Sequence, residues 1–451
     1  MTIVLIGLGA LAGAAGTRAA SVLFVAAAVA GALDDHLPAL SVWTASMLAG
    51  LVLRPGLAAR RLALPALGAG AVLVAASSSN AAAVMGLWVV GTAVVCFGRG
   101  PALESRRWAL MVCLADVPLA AAVIYNAIDA GFEAWPPGSG SGAAIAMLVS
   151  AVLRLPLAAG TDDENEETAL VVVRTQAAAL ILVSLGSTGL GIAEGVIGVA
   201  AVAFVLAPLA DREATRDGAQ ELSLMAMAAA GSVLGWTPDG WVWGALAAGT
   251  LIHHLRVNGY QLKPNALVAG LIRGAGLGLP FLPVVAALLE GSLRAGSWYG
   301  AVTAVACLLG LALRARPGTE SDVAKRRRKG RDPARILRNA WFALAAVAGL
   351  TGVVLALPRP PAGEVLSWPP LWAAAVVGAI GIVGARFPGF APRAEDGSRR
   401  RTAPIAAVRP LYRMVASLER VAQTRALEGT LALLVVTGIV LWAAGILRGF
   451  L

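Results

Sequence analysis

Apolar residues fall in long unbroken runs along the whole chain, each roughly the length needed to cross a bilayer, with polar residues gathered in the short stretches between them. The runs lie near 2–15, 19–33, 38–53, 62–77, 80–97, 108–126, 143–158 and 169–188. They continue near 192–209, 219–235, 241–256, 264–289, 298–314, 339–357, 368–386 and 429–447. The pattern predicts an all-α polytopic membrane protein with about 16 transmembrane helices. Several runs are short and rich in Gly and Ala; in "GLGALAGAAG" the glycines suit close helix packing.

The stretches between the runs alternate in charge. Arg18, the Arg54/Arg60/Arg61 group, the Arg99/Arg106/Arg107 group, Arg212/Arg216, Arg256/Lys263, "AKRRRKGRDPAR" (324–335) and the stretch from Arg393 to Arg413 occupy one set. The other set holds "DDH" (34–36), "DAGFEAWPPGSGSG" (129–142), "TPDG" (237–240) and "PRPPAGEVLSWPP" (358–370). The acidic "TDDENEE" (161–167) is an exception on the basic side. Basic loops stay in the cytoplasm, so this parity predicts a plasma (cytoplasmic) membrane protein with both termini outside. The first run lacks a basic flank before it, so no cleavable signal peptide is expected.

Composition sharpens this picture. The 451-residue chain is 58% hydrophobic and only 14% charged, too little charge to cover a soluble surface. Its formal charge of +10 follows from the cytoplasmic loops and gives no reason to expect a nucleic-acid partner. The expected surroundings are the lipid bilayer and other membrane subunits. Residues 316–338 form a basic linker suited to anionic headgroups, and 404–429 mixes apolar and basic positions as an interfacial helix does. Cys96, Cys113 and Cys307 sit singly inside apolar runs; with little histidine, no metal or cofactor site is expected. Phosphate loops and nucleophile elbows are absent from the sequence, so it gives no motif for soluble catalysis.

One run is broken. "GLGLPFLPVVAALLEG" (276–291) carries Pro280 and Pro283, each of which removes a backbone donor. Such breaks within a membrane usually line a cavity or a polar path.

Several segments resemble, in order, the antiporter-like membrane subunits shared by respiratory complex I, Mrp-type sodium/proton antiporters and membrane-bound hydrogenases. "MGLWVVGTA" (85–93) stands where that family has Gly-Trp-Glu-Leu in its fifth helix, and "RRWALMVCLADVPLAAAVIYNA" (106–127) resembles its sixth, with Asp116 at the Asp position. "SAVLRLPLAAG" (150–160) is similar to the broken seventh helix and keeps its proline as Pro156. "ALVVVRTQAAALI" (169–181) falls at the eighth, "AAGTLIH" (247–253) resembles the end of the eleventh, and 276–291 resembles the broken twelfth. The resemblance implies two inverted five-helix repeats with broken helices and a core over 78–315, flanked by helices at 1–77 and 339–451. It also implies proton transfer along buried Glu and Lys residues.

The chain departs from that pattern where protons would be exchanged. The fifth-helix Glu position holds Trp88, the seventh-helix Lys position Ala151, the eleventh about Trp241 and the twelfth Leu288, none of which can relay a proton. The remaining candidate charges are Asp116, Arg154, Arg174, Arg273, Glu290, His253 and His254. Asp116 can pair with Arg154 or Arg174, either as a fixed tie between helices or as a working site. Glu290 reads as an interfacial anchor or a remnant of the relay. His253 and His254 read as headgroup-level residues or a proton entry point, and Arg273 as a snorkelling cation or a partner of an acid. Glu221 is expected to be an N-terminal helix charge.

Two functions follow as expectations. One is a divergent antiporter-like subunit that scaffolds or couples energy in a larger complex with an impaired relay of its own. The alternative is a stand-alone transporter that clamps an anionic substrate with Arg154 and Arg174, with Trp236, Trp241 and Trp243 near its mouth.

Overall fold

The computed structural model describes residues 1–16, 19–31, 38–52, 59–98, 103–138, 142–154, 164–188, 190–207, 213–236, 284, 285, 288, 291, 292 and 296–314. The described residues are helical, with no strand among them. Their helices are α1 (Thr2–Ala14), α2 (Ala19–Gly31), α3 (Pro38–Val52), a 3-10 turn (Ala59–Leu62), α4 (Ala63–Ser77), α5 (Ala81–Gly98) and α6 (Leu103–Ala130). After these come α7 (Gly142–Arg154), α8 (Glu164–Ser187), α9 (Leu190–Leu206), α10 (Glu213–Val233) and α11 (Trp298–Arg314). Arg60–Ser77, Ala109–Ala130 and Ala169–Ser187 are long and apolar enough to cross a membrane. The expected spans at 241–256, 339–357, 368–386 and 429–447, and nearly all of 264–289, lie outside the described residues.

Two helices extend well beyond their hydropathy boundaries at the N-terminal end. α6 starts at Leu103 and α8 at Glu164, each several residues before its apolar run. A membrane helix need not stop where the hydrocarbon does, since its backbone bonds are made internally. The 28 residues of α6 reach about 42 Å, well beyond the ~30 Å apolar slab.

The chain divides into two units. Among the described residues, the first holds α1–α3, the 3-10 turn, α9, most of α10, and α11. α2 packs against both α1 and α3, and α9 packs against α11. Close packing depends on small residues: a Cβ on Gly9 would stand 2.6 Å from the Phe24 ring. α10 ends in a Schellman motif at Gly235, which takes φ +71 and is followed by Trp236 N–H donating to Gly231 O at 2.7 Å. Trp236 then stacks on Tyr299 at 6.1 Å. The C-terminal end of α10 therefore meets the N-terminal end of α11. At another corner of this unit, the Arg60 side chain lies over the turn at Gly16.

The second unit holds most of α4 and all of α5–α8. α8 is buried on every side from Ala169 to Ile181 and packs against α5 and α7, as expected of a helix apolar around its circumference. Its hydroxyls turn back on the helix, with Thr175 Oγ1 donating to Val171 O at 2.8 Å. Asn80 caps α5, its Oδ1 accepting from Ala82 and Ala83 N–H at 2.9 and 3.1 Å. The segment after α6 folds back on that cap: Ala81 N–H donates to Phe132 O and Trp135 N–H to Ser79 O. These bonds fix α5 and α6 as an antiparallel pair in one register.

Candidate functional site

Four helices of the second unit contribute to one polar cluster in an otherwise apolar interior. Asp116 of α6 forms an ion pair with Arg154 Nη2, at the last residue of α7. Trp88 Nε1 on α5 donates to Asp116 Oδ1 at 3.0 Å, and Thr92 Oγ1, one turn on, donates to Oδ2 at 2.9 Å. Arg154 is fully buried, whereas Asp116 keeps 19% of its side chain exposed.

Nε and Nη1 of Arg154 are hydrogen-bonded as well. Nη1 donates to Ala115 O at 2.9 Å and to Ser150 Oγ at 2.6 Å; Ser150 itself donates to the same carbonyl. Nε donates to Gln176 Oε1 at 3.4 Å, and Gln176 Nε2 donates to Thr92 Oγ1 at 3.1 Å. The loop closes through Thr92, Asp116, Arg154 and Gln176, one residue from each of α5, α6, α7 and α8. The guanidinium also lies over the Trp88 ring, 5.3 Å from its centroid, where the ring quadrupole favours a cation.

Local sequence explains why this ring forms here. Trp88 and Thr92 are four apart and share a face of α5; Ser150 and Arg154 do the same on α7. Pro118 cannot supply the N–H that Leu114 O would accept, so the α6 ladder is weakened at the turn that offers Ala115 O to Arg154. On α5, Gly91 makes room for Gln176: a Cβ there would stand 3.2 Å from Gln176 Nε2 and 2.9 Å from Val72 Cγ2.

The ring brings together only part of the sequence-derived candidate set. Asp116 and Arg154 meet directly. Arg174 is buried on α8, two residues and about 200° around the helix from Gln176. Trp88 and Ala151, standing where the resemblance places Glu and Lys, are both buried beside the pair. Arg273, Glu290, His253 and His254 lie outside the described residues, as do the helix breaks expected at Pro156, Pro280 and Pro283.

Thr92, Ser150 and Gln176 were missed by reading charges alone. Their signal was polar residues spaced four apart within apolar runs, and a proline two residues after Asp116. Glu221 requires a correction. α10 begins at Glu213, so Glu221 lies in the third turn rather than at the N-terminus. It is 1% exposed and accepts from Trp43 Nε1 at 2.7 Å within the first unit, so burial and an indole partner, not the helix dipole, define its setting. Cys96 and Cys113 are neighbours where α5 and α6 run side by side.

No family model matches the sequence, and no curated protein matches it. A solved structure that is similar is the Mrp complex from Dietzia sp. DQ12-45-1b, at TM-score 0.56 and 16% identity. The fold is shared with a chain of that complex. The match takes in 99% of this chain but 62% of the other, so this chain spans less than two thirds of the length of its structural neighbour. A likeness at this identity shows a shared fold and leaves the chemistry to the residues themselves.

Proposed function

We propose that the chain is a divergent antiporter-like integral membrane subunit of a multisubunit ion-transport complex, of the Mrp, complex I or hydrogenase kind. On this reading it has about sixteen spans and two inverted five-helix repeats. The breaks at Pro156 and at Pro280 and Pro283 are inherited from that plan. It sits in the plasma membrane with both termini outside, among other membrane subunits. Its role is to scaffold or transmit energy coupling, and it carries little proton current of its own.

The observation that carries the reading is the Asp116–Arg154 pair, held by hydrogen bonds from four helices. A relay group must take up and release protons, and arginine stays protonated under almost any burial. Asp116 accepts from Trp88 and Thr92 as well as pairing with Arg154, an arrangement that stabilises one charge state and ties helices together. The alternative, an arginine clamp for an anionic substrate, would need Arg154 to give up Asp116, Ala115, Ser150 and Gln176 together.

Proton flux into proteoliposomes containing the purified chain tests the reading. The expected flux equals that of protein-free liposomes, while mild solubilisation of native membranes brings down other multispanning subunits with the chain. A robust uncoupler-sensitive current from the chain alone would overturn it.

A further inference from the structure

The ion-pair ring does not account for the two thiols beside it. Thr92 and Asp116 face each other across the antiparallel α5–α6 pair, with Thr92 Oγ1 donating to Asp116 at 2.9 Å. One turn further along each helix, in opposite chain directions, the same register sets Cys96 against Cys113. The two side chains are neighbours at this rung. Both are half-buried, whereas Cys307 on α11 is fully buried. Arg154 lies within electrostatic reach of Cys113, so a bond made at that sulfur acts directly beside the ring.

We propose that Cys96 and Cys113 are an oxidisable dithiol that closes to a disulfide and staples α5 to α6 next to the Asp116–Arg154 pair. The oxidant is a low-molecular-weight disulfide. The thiolate of one cysteine attacks it, forming a mixed disulfide and releasing one small thiol. The second cysteine, after losing its proton, displaces the other half. Two protein thiols become one protein disulfide, and the oxidant leaves as two small thiols. The sulfurs must close to about 2.05 Å, by side-chain rotation and a small approach of the two helices. In the orientation proposed above, this rung faces the cytoplasmic end, where thiols stay reduced until the oxidant load rises. The chemistry itself does not depend on the proposed role in ion transport.

The test is thiol counting on the purified full chain in detergent, before and after oxidised glutathione. After removal of the oxidant, the protein is denatured and labelled with a polymer-linked maleimide, and its intact mass is measured. The expected count falls from three, the number of cysteines in the chain, to one, with a mass change equal to the loss of two hydrogens and reversal by dithiothreitol. Cys96→Ser and Cys113→Ser should each hold a glutathione adduct on the remaining partner instead. A wild-type count that stays at three, or a stable glutathione adduct on wild-type protein, would overturn the proposal.

Discussion

Arg154 lies over the face of Trp88 while the N–H of that same indole donates to Asp116, the carboxylate that Arg154 neutralises. One aromatic residue thus screens the cation from its flat side and fixes the anion from its edge. Trp88 occupies the position where the family resemblance expects an acid. Its placement closes Asp116 and Arg154 into a pair whose surrounding groups stabilise charge without taking up protons.

A double-mutant cycle on the pair should show strong coupling. Asp116→Leu or Arg154→Met alone leaves one charge without its counter-charge, at an expected cost of about 3–5 kcal/mol. The double variant Asp116→Leu with Arg154→Met removes both charges and should recover most of that loss, since an apolar replacement of a buried pair is often close to neutral. Unfolding in detergent, followed by temperature or denaturant, gives all four corners of the cycle. Losses that simply add would mean that the two residues do not act as a pair.

Two glycines should respond to alanine in opposite directions. On Gly91 the new methyl would press on Val72 and Gln176, costing about 1–3 kcal/mol and displacing Gln176 from the ring. On Gly198 of α9 nothing stands within 4 Å of the new Cβ. There the change should stabilise by up to about 1 kcal/mol through helix propensity alone. Thermal unfolding of the two variants side by side checks this, and equal effects would deny Gly91 its packing role.

The helical membrane character was legible in the sequence because bilayer length leaves a direct mark on hydropathy. The run at 169–188 and helix Glu164–Ser187 agree except where the helix extends into polar sequence, which hydropathy cannot see. Asp116 and Arg154 were legible as candidates because isolated charges in apolar runs need partners. Which arginine would pair with Asp116 was not, since that depends on how α6, α7 and α8 are rotated. Small polar groups such as Thr92 and Ser150 were hidden for a different reason. In an apolar helix such a hydroxyl can bond its own backbone, as Thr175 does, so sequence alone does not say which will cross to a neighbour.

A lysine at Ala151, where the family resemblance expects one, tests whether the ring tolerates a second cation. Ala151 is fully buried and lies one turn before Arg154 on α7. Ala151→Lys would put a second cation beside a single carboxylate and should lower stability by several kcal/mol, about the effective cost of a buried uncompensated charge. Adding Trp88→Glu supplies a second carboxylate. Although it sacrifices the indole, the double variant should be more stable than Ala151→Lys alone, with coupling of about 0.5–3 kcal/mol. A double variant no better than Ala151→Lys would show that the two positions no longer address the same space.

Glu221 provides a separate test in the first unit. It accepts from Trp43 at 2.7 Å, and both side chains are almost completely buried. Glu221→Gln keeps an oxygen that the indole can use, so its cost should stay within about 0.5–1.5 kcal/mol. Glu221→Leu removes that acceptor from a buried donor and should cost about 1–3 kcal/mol. Trp43→Phe in the Glu221→Leu background then removes the donor as well. Its further cost should be smaller than that of Trp43→Phe in the wild type, because the hydrogen bond has already gone. Thermal unfolding in detergent separates these cases. If Leu and Gln at 221 are equally stable, the bond contributes nothing, and the apolar packing between α3 and α10 must account for Trp43 and Glu221 meeting there.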